Sequence, residues 1–100
     1  SYLGVQLENA FDIITARKLG LNSTTGALVK AVIPNSPAQK AGIVIGDVIV
    51  EFNGITIEND GHLVKQVGLT AVGSKVNVVF YRDGSPRRIA TVLEPAPTSN

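Results

Sequence analysis

The nine residues from Pro34 to Gly42 constrain this chain more than any other stretch. Ser36 is a helix N-cap, Pro37 stands at the first helical position, where its missing N–H is no loss, and Gly42 ends the helix. About one and a half turns fit between those marks. Gly26 to Ile33, before the helix, reads as a strand with Leu28, Val29, Val32 and Ile33 apolar and Lys30 outward. Asp47 to Phe52, after it, reads as a second buried strand, closed by Asn53-Gly54, a strong type I′ hairpin signal. A helix this short between two strands belongs in a mixed α+β architecture.

The flanking segments extend that pattern. Ile55 and Ile57 lead out of the hairpin, and Asn59 or Asp60 caps a helix carrying His62, Leu63, Val64, Gln66, Val67 and Leu69. Gly68 inside this helix costs about 1 kcal/mol against alanine, so close packing is expected there. Val76 to Arg82 and Arg87 to Leu93 read as strands joined across Asp83-Gly84. Pro86 has no N–H for a ladder, so its strand starts after it or lies at an edge. Near the start, Asn9 caps a further helix, with Asp12 in its first turn, that carries Ala10, Phe11, Ile14 and Leu19 and stops near Gly20. Leu21 to Thr25 follows as a polar loop. Five to six short strands and two to three helices without a repeat make a small, partly open β-barrel or sandwich capped by helices.

Composition narrows the function classes. One hundred residues form one domain, and 44% hydrophobic with 17% charged residues is a globular balance. Nine basic and eight acidic residues nearly cancel, so no field draws nucleic acid or an anionic membrane. The longest apolar run, Ile43 to Val50, is broken by Gly46 and Asp47, and no membrane insertion is expected. With no cysteine and one histidine, neither thiolate chemistry nor a zinc set is available, and no cofactor is expected. Ser36, Ser74 and Ser85 sit at turns or caps, no Gly-x-Ser-x-Gly elbow exists, and the carboxylates are scattered. No catalytic residues are assigned. From the abrupt start at an expected strand, a piece of a longer protein is expected, and residues 95–100 read as a linker after a domain spanning 1–94.

Tyr2-Leu3-Gly4-Val5, running on as Gln6-Leu7, is the stretch with a binding signature. Leu3, Val5 and Leu7 alternate with Gly4 and Gln6 as in a strand. Glycine lets the backbone turn and lets another group approach, and successive N–H groups around such a turn form a concave anion site. The carboxylate of a chain end, with its chain laid beside the strand, suits that site. An ordinary buried strand is the duller reading of the same residues.

Three pieces in order resemble a PDZ domain: the Tyr2-Leu3-Gly4-Val5 loop, the Ser36 to Gly42 helix running into Gly46-Asp47-Val48-Ile49, and Asn53-Gly54. The element order is similar to the bacterial, circularly permuted type, in which the carboxylate loop comes first and an extra strand closes the chain. Gly26-Ala27-Leu28-Val29, Pro34-Asn35-Ser36-Pro37-Ala38, Val72-Gly73-Ser74-Lys75 and Tyr81-Arg82-Asp83-Gly84 resemble the PDZ domains of HtrA/Deg-type serine proteases. The match covers residues 2 to 94.

The resemblance implies that a peptide C-terminus adds as a strand beside Val5 to Leu7. Tyr2, Leu3, Gly4 and Val5 form the carboxylate loop, the N–H groups of Leu3, Gly4 and Val5 receiving the carboxylate. The helix beginning near Asp60 is the other wall. Leu3, Val5, Leu7 and Leu69 surround the pocket, and Gln6, His62 and Gln66 lie along the groove. Leu3, Val5, Leu7 and Leu69 could equally be core, and His62 equally a solvated surface residue. Arg82, Arg87 and Arg88 read as a solvated basic hairpin tip, and Asp47 as a partner for local backbone donors.

The expected partners are peptide or protein C-termini, unfolded proteins and an attached protease domain, with an oligomer formed through the parent. An extracytoplasmic, periplasmic location in a bacterium follows from the family alone. Two alternatives stand beside this reading. One is a structural module that docks neighbouring domains and holds an oligomer together. The other is a PDZ domain of a different protease class or of a secretion scaffold.

Overall fold

The computed structural model describes residues 3–7, 26–82 and 84–95. Its strands are β1 (Val5–Leu7), β2 (Ala27–Val32), β3 (Val48–Phe52), β4 (Ile55–Thr56), β5 (Lys75–Arg82) and β6 (Ser85–Val92). Its helices are α1 (Pro37–Ala41) and α2 (Asp60–Leu69). The expected helix from Asn9 to Gly20, Tyr2, Asp83 and the tail beyond Pro95 lie outside the described residues.

All six strands join one antiparallel sheet in the order β1-β2-β3-β5-β6, with β4 paired to β3 off that path. Among the described residues the sheet is open, with β1 at one end and β6 at the other, and two helices accompany it. This is the expected α+β architecture. Pro86 falls inside β6, opposite Tyr81, and β6 is an edge among the described residues, where a missing N–H is tolerated.

Local chemistry sets the element ends. Ser36 Oγ accepts from the Gln39 N–H (3.2 Å), Pro37 opens α1, and Gly42 closes it at φ 93°. The Asn53-Gly54 turn has φ of 51° and 83°, the paired positive values a type I′ turn demands. Asn59 caps α2, its Oδ1 accepting from the His62 N–H at 2.8 Å. His62 reaches back in turn, its Nδ1 accepting from the Glu58 N–H at 3.1 Å. Together they form a reciprocal cap in the manner of a capping box.

Among the described residues the larger core cluster is built on Phe52, Phe80, Ile43, Ile49, Ile57 and Leu63, joined by Leu3, Val67, Leu93 and smaller residues, and a smaller one gathers Leu28, Val50 and Tyr81 around Val48. Below it sits a polar tie that the sequence did not announce. Asp47 is fully buried; its Oδ2 accepts from the Val44 N–H, and both its oxygens accept from Arg82 at 2.8 and 2.9 Å. Arg82 also donates to the Gly42 carbonyl and stacks over Phe80. The expected local backbone bond of Asp47 is present. The solvated tip is corrected at Arg82, which a buried carboxylate holds inward, and stands for Arg87 and Arg88, which are exposed.

Candidate functional site

The turn before β1 is built from its carbonyls outward. The Ala38 N–H donates to the Leu3 carbonyl (2.9 Å), and the Ile33 N–H donates to the Gly4 carbonyl (2.8 Å). Ser36 Oγ adds a longer bond to the same Gly4 oxygen at 3.5 Å. Both carbonyls are thus turned toward α1 and β2. In a planar trans peptide the N–H opposes the C=O, so the N–H groups of Gly4 and Val5 point the other way. Among the described residues β1 pairs on its other side with β2 alone, and none of them occupies this edge.

Gly4 is required here. Its φ is +92°, and a Cβ would lie 2.0 Å from Ser36 Cβ. Ser36, itself 2% exposed, therefore supports the turn from behind while capping α1. Sequence reasoning took Ser36 only as a cap. The contact across 32 positions carries no local signal.

Beside the open edge lies an apolar cavity of about 270 Å³, lined by Leu3, Gly4, Val5 and Leu7 on one side and Leu63, Val64, Val67 and Gly68 on the other. Helical periodicity explains the second wall. Leu63 and Val67, four residues apart, face the core and form the floor, while Val64 and Gly68, one position on, form the exposed lip. Among the described residues, no charged side chain lines the cavity.

The structure brings together Leu3, Gly4, Val5 and Leu7. Leu3 serves twice, being 3% exposed in the core as well as a cavity wall. Gln6 is exposed on β1, facing away from the cavity-lining neighbours on either side of it. Leu69 does not join them: it is 70% exposed, and Val67 and Gly68 occupy the wall instead. His62 and Gln66 are half-buried on α2 without lining the cavity. The His62 ring is engaged in the helix cap. At Gly68 the expected close packing is not found among the described residues, none of which would lie within 4 Å of an added Cβ outside the helix's own backbone. Leu63, Val64 and Val67 line the cavity without having been singled out for it. A rotation of one residue, about 100°, separates them from the expected face.

An open strand edge, outward N–H groups and an apolar cavity between a strand and a helix define a peptide-accepting module of the PDZ kind. The family model described as "PDZ domain" matches residues 1–93, and the chain belongs to that family. Its relatives are HtrA/Deg-type proteases. It is 40% identical over 97 residues to a probable periplasmic serine endoprotease DegP-like of a Marinomonas species, covering 97% of this chain and 20% of that protein. It is 45% identical over 79 residues to the periplasmic serine endoprotease DegP of Escherichia coli, covering 79% of this chain and 17% of that one. Among solved structures, the HtrA-type protease AlgW with decapeptide superimposes with a TM-score of 0.85 at 28% identity, over 98% of this chain and 30% of that chain. The chain thus spans about a fifth of the length of the curated relatives it matches.

Proposed function

We propose that this domain binds the C-terminal ends of peptides and unfolded proteins by strand addition to β1, for an attached HtrA-type serine protease. One observation carries the reading. The edge of β1, with the Gly4 and Val5 N–H groups turned outward, lies against an apolar cavity open to solvent. The two N–H groups take the terminal carboxylate, the edge pairs with the ligand backbone, and the cavity takes the terminal side chain. The AlgW structure solved with a decapeptide lends support from a protein of like fold.

On this reading residues 1–94 are the binding domain and 95–100 a linker. Catalysis belongs to the parent, a periplasmic serine endopeptidase, whose other domain and oligomer are this module's standing partners. Unfolded proteins are natural ligands because they expose apolar termini that folded ones hide. A docking role for the module draws on a different face, where Val44 and Ile45 are exposed on the loop after α1.

Fluorescence anisotropy with short peptides, each as free acid and as C-terminal amide, tests the proposal. Micromolar binding, about −8 kcal/mol, that amidation abolishes is the expected outcome. Equal binding of acid and amide would move the site elsewhere, and no binding would favour docking.

A further inference from the structure

One residue of β2 has no counterpart on β1. Val5 pairs with Val32 and Gln6 with Ala31, but Leu7 pairs with Val29, so the register slips between Gln6 and Leu7 and Lys30 is the extra residue. A bulge of this kind sets two residues against one and re-aims a side chain. Val29, next to it, is buried in the core, whereas Lys30 is exposed. Gln6, opposite the bulge, is also exposed, between the cavity-lining Val5 and Leu7. Side chains alternate across a sheet, so Gln6 and Lys30 share the face turned away from the core. Among the described residues, no carboxylate pairs with the Lys30 ammonium.

We infer that Lys30, beside Gln6, is a specificity-determining residue that favours ligands with an acidic penultimate side chain. The inference rests on the peptide-binding reading above and adds a ligand class to that site. A carboxylate held at the Gly4 and Val5 N–H groups leaves the rest of the peptide to run back along β1 toward Leu7, antiparallel to it. Its last residue then lies beside Val5 and turns its side chain into the cavity; the penultimate residue lies beside Gln6 and turns to the opposite face. Lys30 stands on the next strand, two strand spacings or about 10 Å from the ligand backbone. An extended lysine and a glutamate span that distance together. Both partners are in water, so the pair is weak and screened by salt, and it ranks ligands instead of holding them.

Three free-acid peptides ending in leucine, alike except for Glu, Gln or Lys at the penultimate position, are titrated by anisotropy against wild type, Lys30→Gln and Lys30→Glu. Wild type is expected to rank Glu over Gln over Lys, by about threefold at each step in about 50 mM NaCl, the scale of an exposed ion pair. In about 500 mM NaCl the steps are expected to shrink to within about 1.5-fold. Lys30→Gln is expected to flatten the ranking and Lys30→Glu to reverse it, while all three chains bind the Gln peptide within about twofold of one another. A merely structural role for Lys30 would weaken the three peptides alike and leave their order in place. A wild-type ranking blind to penultimate charge, or one that Lys30→Glu leaves unchanged, would overturn the inference while leaving carboxylate binding intact. Failure of wild type to distinguish free acid from amide would instead overturn the site itself, and this inference with it.

Discussion

Ser36 does two things with one hydroxyl. It accepts from the Gln39 N–H to start α1 and donates to the carbonyl of Gly4, whose Cα it packs against. Ser36→Ala is therefore expected to lower stability by about 1 kcal/mol, the usual value of an N-cap. It is also expected to weaken free-acid peptides several-fold more than it weakens amides. Denaturant unfolding and paired anisotropy titrations read the two effects separately; an equal loss for acid and amide would mean that Ser36 acts on the helix alone. The cap was legible because capping is local: Ser36, Pro37 and Gly42 carry their own instructions. The support of Gly4 was not, because it joins segments 32 positions apart. Leu3, Val5 and Leu7 were legible as one face because strand alternation has a period of two. Leu69 was misplaced because a helix register off by one or two residues turns a side chain from cavity to solvent.

At the level of elements, side-chain ties join pieces that lie far apart in the sequence. Asp47 and Arg82 are the main one, linking the end of α1 and the 43–46 loop to β5. Asp47 is buried while 28% of the Arg82 side chain reaches solvent. Asp47→Ala is expected to destabilise the domain by about 3 kcal/mol, because it removes the buried carboxylate that accepts from the Val44 N–H and pairs with Arg82. A thermal melt showing a fall in Tm of less than about 3 °C would refute that assignment. The sequence gives no hint of this pair, since its members lie 35 positions apart and each has a local role that accounts for it. A second tie, from Thr91 Oγ1 to the Pro37 carbonyl at 3.2 Å, secures α1 to β6. The exposed Lys40–Glu94 pair crosses the same junction and contributes little by itself.

Over the whole molecule the charge is close to balanced, with a formal net charge of +1. The proposed anion receptor consists of backbone N–H groups, and none of the described residues lining the adjoining cavity is a cation. Binding of a neutral peptide's carboxylate is thus expected to change less than about threefold between 50 and 500 mM NaCl. Titrations across that range check it, and a steep decline would place a lysine or arginine at the ligand's end. The open sheet has one further consequence. A sheet end with unpaired N–H and C=O groups is a template for runaway association between copies. Here β1 offers three residues, with its register broken between Gln6 and Leu7. The far end, β6, carries Pro86 and the exposed Arg87 and Arg88. Among the described residues one margin is short and broken and the other carries proline and charge, so the open edge that the proposed peptide would use is a poor template for a second copy.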